Sequence, residues 1–256
     1  MGRLDDWEGR PVAAWERLWN VPGFEAFDTL PSTNDRVREL AGEGASAFTV
    51  VTAETQTAGR GRSGRRWESP PGSGLWISFL LRPRAEGAPA LTPILVGLAT
   101  ARAIEALCPE LHPEIKWPND VLVGGRKVGG ILCEGVGRDV IVVGVDLNIS
   151  QREEDFPSAL RDHVTSLVAA GCSGVSRAEL AGGLLGEARN LVETLPDELD
   201  EGLRMELQRR DALAGRTVRT DTGQVGQAIG VADDGALLIE AEGIRHAVRG
   251  GGVSIV

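Results

Sequence analysis

The chain is poor in the residues that build disulfide frameworks, zinc sites and histidine-based active sites. Its 256 residues include three cysteines, three histidines and no tyrosine. Cys108, Cys133 and Cys172 are widely spaced, odd in number and without a Cys-x-x-Cys pair, so the sequence predicts neither a disulfide framework nor a structural zinc site. The histidines are equally scattered, which favours packed or surface roles for them.

The sequence also lacks an apolar run of the length that a membrane-spanning helix requires. Residues 1–10 are polar and acidic, unlike the apolar centre of a secretory signal. We therefore expect a cytoplasmic protein with no membrane partner. The length is sufficient for one large domain and a small one.

Basic residues are outnumbered by acidic ones. The 27 Lys and Arg against 37 Asp and Glu give a formal net charge of −10. Nucleic-acid binding usually shows as a broad basic face, so no nucleic-acid partner is expected. About 25 residues precede the first recognisable element, too few for an independent helix-turn-helix domain. Whether residues 1–24, with Trp7, Trp15 and Trp19, pack as a helix or contact a partner stays open.

Within this acidic chain, residues 59–67 form a cationic segment. It holds four arginines, three glycines and Trp67 in nine positions. The glycines let the backbone approach a ligand, the arginines offer forked donors for phosphate or carboxylate, and the indole offers a flat surface for a base. The alternative is a disordered RNA-binding Arg/Gly segment, but strand-like segments flank this one. The pattern favours an ordered site for a nucleotide or another phosphorylated ligand.

The spacing of apolar residues predicts alternating strands and helices, followed by a change of pattern after Leu213. The predicted strands are 48–52, 75–81, 114–117, 121–123, 127–134 and 140–148, and the predicted helices begin at Ser32 or cover 91–107, 176–195 and 198–213. Five short segments at 217–220, 226–231, 236–240, 245–248 and 253–256, separated by turn signals, predict a small SH3-like barrel. We expect a main domain of residues 1–213, with 1–24 as an N-terminal extension, and a C-terminal domain of residues 214–256.

A second motif, residues 116–120, places Lys116, Asn119 and Asp120 around Pro118, which fixes a turn. Lys116 could meet a phosphate as a point charge, and Asp120 could hold Mg²⁺ or orient Lys116. The alternative is a hairpin corner without a ligand. Its occurrence together with the arginine-rich segment favours a functional role.

A third motif begins at Lys127, which follows a tight turn at Gly124 and Gly125 and starts the strand 127–134. Lys127 could point into a site between the arginine-rich segment and the sheet. Taken alone, a solvated turn lysine is the simpler interpretation.

In this order and spacing, residues 59–67, 116–120 and 127–134 resemble the biotin protein ligases, in the form without an N-terminal DNA-binding domain. The resemblance covers about residues 25–256. It implies a class II synthetase-like α+β fold, with a mixed β-sheet flanked by helices and the small SH3-like barrel. It also implies an ATP-dependent, AMP-forming ligase, in which biotin and Mg-ATP give biotinyl-5′-adenylate and pyrophosphate. One lysine of a biotin carboxyl carrier domain, from acetyl-CoA carboxylase or a related carboxylase, would then take the biotin.

Carried over position by position, the resemblance implies a set of site residues. The biotin-binding residues would be Ser32, Thr33, Asn34, Gln56, Arg60, Gly61, Arg62 and Lys127. The residues for ATP and the adenylate would be Arg65, Trp67, Lys116, Asn119, Asp120 and Asn148. Lys127, Arg62 and Lys116 would act in catalysis, with Asp120 as the candidate Mg²⁺ ligand. The arginine-rich segment would be a mobile lid.

One position departs from the family pattern, since Asp146 stands where biotin protein ligases usually have a glycine. Buried unpaired acids are rare, so we expect Asp146 to face outward. Lipoate-type ligases and octanoyltransferases are the nearest enzymatic alternative, and a non-catalytic sensor of biotinyl-adenylate is a second one. Many members of the family dimerise through the sheet edge, which leaves a homodimer open.

Overall fold

Two large β-sheets and a short β-ribbon organise the computed structural model, which describes residues 2–83, 90–137, 139–192 and 198–256. The first half contains β1 (Arg3–Leu4), β2 (Asp6–Trp7), β3 (Arg10–Pro11), α1 (Val12–Trp19), β4 (Gly23–Leu30), α2 (Thr33–Gly42), β5 (Thr49–Gln56), β6 (Gly74–Leu81) and α3 (Thr92–Leu107). There follow β7 (Pro113–Lys116), β8 (Asp120–Val123), β9 (Arg126–Val136), β10 (Val140–Asn148), α4 (Arg177–Val192) and α5 (Glu201–Arg210). The last elements are β11 (Thr217–Thr220), β12 (Val225–Val231), β13 (Leu237–Ala241), β14 (Ile244–Val248) and β15 (Val253–Ile255).

The larger sheet has the strand order β1-β4-β5-β6-β10-β9-β8-β7. β4 and β5 pair in parallel, and the neighbouring pairs are antiparallel, so the sheet is mixed as the resemblance implies. The crossover between the parallel strands is α2, because two parallel neighbours need a connection that returns to the same end of the sheet. Ser32 takes the helix-capping position with an extended backbone, but its side chain makes no capping hydrogen bond.

Helices cover both faces of this sheet. α2 packs on β5, β6 and β10, whereas α3 and α4 pack together on the opposite face. Every residue of β6 is buried, since that strand runs between the two layers. None of the helices in the described parts of the chain has the length and apolar character needed to cross a membrane.

The N-terminal segment, left open by the sequence, packs against the body of the protein. Trp7, Trp15, Trp19 and Phe24 are buried together, with the rings of Trp15 and Trp19 stacked at 5.4 Å. The guanidinium of Arg177, at the start of α4, lies 5.6 Å from the ring of Trp7. The three tryptophans therefore anchor α1 to the sheet and to α4. β4, which follows directly, is a strand that the sequence patterns do not predict.

The smaller sheet is antiparallel, with the order β14-β13-β12-β11-β15. Its five strands lie within one residue of the predicted segments, and the predicted fold class is confirmed. The indole of Trp117 donates a hydrogen bond of 2.9 Å to the carbonyl of Gly235, which joins the two sheets. The helices predicted over 176–195 and 198–213 correspond to α4 and α5, and positions 193–195 lie outside the described residues.

Cys108 and Cys172 form a single disulfide, which the prediction of no disulfide framework did not anticipate. Cys108 follows α3 and Cys172 precedes α4, and the packing of these helices brings the two cysteine Cα atoms to 5.7 Å. The two positions are 64 residues apart, so the sequence spacing does not reveal that they are neighbours. Cys133 remains a free thiol. Burial raises the pKa of the Cys133 thiol to about 12, so this thiol should react slowly in the folded protein.

Thiol titration should therefore distinguish the three cysteines. Protein purified without reductant and then denatured should show one reactive thiol, and reduction before denaturation should raise the number to three. Reduction should also lower the free energy of unfolding by about 4 kcal/mol, because the bridge closes a long loop in the unfolded chain. Denaturant titration with and without reductant measures this change. Three thiols in the unreduced protein would contradict the bridge.

Candidate active site

A cavity of about 990 Å³ lies between the larger sheet and the C-terminal sheet. Its lining comes from residues 60–63, 65–68, 70, 73, 116–120, 127, 130–132, 146, 148, 151, 155–157, 160, 164, 219–221 and 252–254. Seven of these side chains are Lys or Arg and five are Asp or Glu, on a protein whose net charge is −10. The cavity is thus locally cationic and suited to an anionic ligand.

The arginine-rich segment forms a hairpin over this cavity. The amide of Gly61 donates to the carbonyl of Arg65 at 2.7 Å, and the amide of Trp67 donates to the carbonyl of Gly59 at 2.9 Å. A Cβ atom on Gly59 would lie 2.7 Å from the carbonyl oxygen of Trp67, so the hairpin requires glycine there. The segment predicted to order into a site is therefore an ordered hairpin.

Arg60 fastens the base of the hairpin to α2. Its guanidinium donates to both carboxylate oxygens of Asp35, at 2.6 and 2.8 Å. These bonds hold the pKa of Asp35 below its ordinary value. Arg60, for which the resemblance implies a biotin-binding role, lines the cavity, and its charge is already paired with Asp35.

Arg62 joins the hairpin to the two sheets. It donates to the side-chain oxygen of Asn119 at 3.2 Å and to the backbone carbonyl of Gly251 at 2.9 Å. Asp221 accepts a hydrogen bond of 2.5 Å from the amide of Gly252 and so fixes the turn that presents this carbonyl. The hairpin thus contacts both the second motif and the C-terminal sheet, which closes one side of the cavity.

Lys127 lines the cavity, with 29% of its side chain exposed. Its ammonium lies 2.6 Å from Oδ1 of Asp120 and 5.2 Å from the ring centre of Trp67. Asp120 therefore pairs with Lys127, whereas the sequence offered Lys116 as its partner. Lys116 and Arg65 line the same cavity, so cations from three separate segments meet there.

Ser32, Thr33, Asn34 and Gln56 are buried beside the cavity and are not part of its lining. The side chains of Thr33, Asn34 and Gln56 bond to one another or to their neighbours: Gln56 Oε1 accepts from the amide of Thr33 at 3.0 Å, and the Ser78 hydroxyl donates to Asn34 Oδ1 at 2.6 Å. These four residues, which the resemblance assigns to biotin binding, thus form a preorganised layer between α2 and the sheet.

Asp146 faces this layer and the cavity, so the expectation that it points outward is wrong. Its Oδ1 accepts a hydrogen bond of 2.9 Å from Nε2 of Gln56. Burial raises the pKa of Asp146 to about 7, and the bond from Gln56 and the charge of Lys127 oppose that rise. Strand alternation could have placed it correctly, because Asp146 and Asn148 share a face of β10 and Asn148 was assigned to the site.

Further cavity residues lie in the segment after β10 and were not predicted. They adjoin Asn148, the predicted residue at the end of β10, which is buried and whose Nδ2 donates to the carbonyl of Thr165 at 3.0 Å. Gln151, Asp155, Phe156, Pro157, Leu160 and Val164 complete this wall. The segment contains two short 3₁₀ turns without helical or strand periodicity, so no pattern of apolar residues predicts it.

Comparison with known proteins gives consistent matches. Residues 26–148 match the model of the Biotin/lipoate A/B protein ligase family. The Bifunctional ligase/repressor BirA of Bacillus subtilis is 35% identical over 231 residues, which cover 85% of this chain and 70% of that protein. The Biotin--[acetyl-CoA-carboxylase] ligase of Mycobacterium tuberculosis is 31% identical over 244 residues, covering 90% and 89%.

Among solved structures, the biotin protein ligase from Aquifex aeolicus in complex with biotin and ATP superposes with a TM-score of 0.80 and 28% identity. The match covers 92% of this chain and 99% of that one. Sequence identity, coverage and fold therefore agree with the three motifs around the cavity. The chain belongs to the biotin protein ligase family.

Proposed function

We propose that this chain is an ATP-dependent biotin protein ligase, which makes biotinyl-5′-adenylate and transfers the biotin to a lysine of a biotin carboxyl carrier domain. The observation that carries the proposal is the cationic cavity, where Lys116, Lys127 and the arginine hairpin meet. The relative from M. tuberculosis is named for acetyl-CoA carboxylase, and the carrier domain of such a carboxylase is the expected protein substrate.

In the first step, a carboxylate oxygen of biotin attacks the α-phosphorus of ATP. The bond from that phosphorus to the bridging oxygen breaks, and pyrophosphate leaves with the electron pair. Both reactants are anionic and repel each other, so screening of their charges lowers the barrier. Lys127, held by Asp120 and Trp67, and Lys116 would supply this screening. No proton transfer and no covalent enzyme intermediate are required.

In the second step, the neutral amine of the carrier lysine attacks the acyl carbon of the adenylate. AMP leaves, an amide bond forms, and the amine loses a proton. Water competes with the amine for the same mixed anhydride. The hairpin of residues 59–67 would exclude water and retain the intermediate, because Arg62 ties it to Asn119 and to Gly251.

The residues around the cavity divide into two proposed groups. The layer of Ser32, Thr33, Asn34 and Gln56, with Arg60, Gly61, Arg62 and Lys127 at the cavity, would bind biotin. Arg65, Trp67, Lys116, Asn119, Asp120 and Asn148 would bind the nucleotide. Trp67, whose ring faces Lys127, is the proposed surface near the base.

Mg²⁺ is proposed to enter with ATP. In the described part of the chain, the one group of three metal-binding side chains is Cys108, Glu110 and Cys172, whose two sulfurs are bonded to each other. Mg²⁺ typically takes one or two carboxylates together with substrate phosphates and water. Asp120, with one oxygen on Lys127, fits this mode as the single protein ligand. The ion would neutralise charge on the leaving pyrophosphate.

Biotin-dependent exchange of labelled pyrophosphate into ATP tests the proposal. We expect exchange with biotin and ATP, followed by labelling of an added carrier domain. Parallel reactions with lipoate and octanoate are the control for the related ligases. Exchange that lipoate or octanoate supports and biotin does not would refute the assignment.

Replacing Arg62 by glycine should release the adenylate prematurely. The change removes two hydrogen bonds that hold the hairpin, each worth about 1 kcal/mol, so release should accelerate roughly five- to thirtyfold. Labelling of a bystander protein such as albumin measures the leak. Arg66→Gly is the matched control, because Arg66 lines the same cavity from the same hairpin but its side chain makes no hydrogen bond within the described residues. Labelling confined to the carrier in the Arg62 variant would contradict the proposed role of the hairpin.

A further inference from the structure

We propose that Gln151 is a specificity residue for the nucleotide, whose side-chain oxygen accepts a hydrogen bond from the nucleoside half of ATP. This inference rests on the proposed function, since it names a further contact of the same cavity. Gln151 lines the cavity and is only 4% exposed.

Neighbouring hydrogen bonds fix the orientation of the Gln151 amide. The carbonyl of Thr165 can only accept, so Asn148 must turn Nδ2 towards it, as observed at 3.0 Å. Asn148 consequently presents Oδ1 to Gln151, whose Nε2 donates a hydrogen bond to it at 3.1 Å. The remaining atom, Gln151 Oε1, is therefore an acceptor. It has no hydrogen-bond donor among the described residues.

A buried acceptor without a donor is costly and uncommon in folded proteins. Three buried side-chain polar atoms lack a partner in the described structure: Gln151 Oε1 and the indole nitrogens of Trp67 and Trp76. Trp67 lines the same cavity, and the ring of Trp76 lies 6.4 Å from that of Trp67. Gln151 and Trp67 both line this cavity, so a ligand bound there can supply a partner to each of them, whereas Trp76 is fully buried behind it.

The Gln151 backbone is also held firmly, since its carbonyl accepts a hydrogen bond of 2.5 Å from the hydroxyl of Ser166. The side chain is thus fixed at both ends and cannot easily turn away to find another donor. Preorganised groups of this kind discriminate well, because a ligand that lacks the complementary donor leaves the acceptor unpaired.

The chemistry of ATP limits which of its atoms can donate a hydrogen bond to Gln151 Oε1. Its phosphates are acceptors at neutral pH, whereas the ribose hydroxyls and the exocyclic amino group of adenine are donors. The partner of Gln151 is therefore one of these nucleoside donors. A base with a carbonyl in place of the amino group presents an acceptor, which Gln151 would reject.

The test compares biotin-dependent pyrophosphate exchange with ATP, 2′-deoxyATP, 3′-deoxyATP and inosine triphosphate, in the wild type and in Gln151→Met. The methionine keeps the length of the side chain and removes the acceptor. We expect kcat/KM of the wild type to fall about tenfold or more with one analogue. The same ratio should approach one in Gln151→Met.

Two further variants complete the experiment. Gln208→Met makes the same chemical change at an exposed position of α5 and should keep the wild-type ratios. If thermal unfolding shows that Gln151→Met is not folded, Gln151→Asn, which withdraws the oxygen by one methylene, takes its place. Selective loss with a deoxy analogue assigns the partner to the ribose, and selective loss with inosine triphosphate assigns it to the amino group.

The outcomes separate this inference from the proposed function. Absence of exchange with biotin and ATP in the wild type would overturn both. Exchange with ATP, together with nucleotide ratios that are the same in wild type and variant, would overturn the role of Gln151 alone.

Discussion

Replacing Lys127 by alanine should lower the rate of biotin-dependent pyrophosphate exchange by about a thousandfold, the effect typical of removing a preorganised charge from a transition state. The proposed first step brings a carboxylate and a phosphate together, and Lys127 is positioned at the cavity by Asp120 and Trp67. The fold should stay intact, because partly exposed ion pairs contribute about 0–1 kcal/mol. Exchange kinetics and thermal unfolding of the same preparation measure both effects.

The matched control is Arg126→Ala, which removes a cation from the adjacent position of β9 that does not line the cavity. Its exchange rate should match that of the wild type. Supplying Lys127→Ala with synthetic biotinyl-5′-adenylate should restore much of the carrier labelling, since the second step starts after the anionic reactants have joined. Exchange within about threefold of wild type in Lys127→Ala would remove Lys127 from the mechanism.

The positions of the cationic residues could be predicted from sequence because each belongs to a short motif with a strong local signal. Lys127 follows a two-glycine turn, and the arginines of residues 59–67 lie between two strands. A turn motif of this kind shows that a residue lies at the end of a strand, and the ends of neighbouring strands lie together at one edge of a sheet. The structure accordingly brings Lys116, Lys127 and Arg65 to one cavity.

Contacts made over long chain distances could not be predicted. Arg62 donates to Gly251, and the two positions are joined only by the docking of the C-terminal sheet. Cys108 and Cys172 are bonded because α3 and α4 pack side by side, and the sequence of neither helix predicts that packing. The wall around Gln151 is built from irregular backbone, where apolar periodicity gives no information.

The orientation of Asp146 was predicted wrongly for a different reason, because a general rule about acidic residues and the alternation of side chains along β10 point in opposite directions. The rarity of buried acids favoured an outward side chain, whereas the two-residue period of β10 placed it with Asn148. The local signal was correct. Gly130, paired with Asp146 on β9, has no side chain, and Gln56 supplies a donor, so the carboxyl is accommodated.

This burial should make the stability of the protein depend on pH through Asp146. Its pKa is raised from an ordinary value of 3.8 to about 7, so between these values the folded state binds more protons than the unfolded state. The stabilising contribution is complete below pH 3.8 and is lost as pH rises through 7. Asp146→Asn keeps an acceptor for Gln56 and cannot ionise. The variant should therefore be more stable than the wild type at pH 8, by about 2–4 kcal/mol, and similar to it near pH 4.

Denaturant titrations of wild type and Asp146→Asn from pH 4 to 9 measure this difference. The charge of Lys127 lowers the pKa of Asp146, and Lys127 is itself paired with Asp120. Both residues are present in wild type and variant, so the pH dependence that comes from their own ionisation cancels in the difference. Glu68→Gln, at an exposed carboxylate of the same cavity, is the control and should leave the pH dependence unchanged. Biotin should report the same transition, because an ionised Asp146 repels its carboxylate: KM should rise through pH 7 in the wild type and stay level in Asp146→Asn. Parallel stability curves for wild type and Asp146→Asn would show that Asp146 is ionised throughout and that solvent or Lys127 compensates its charge.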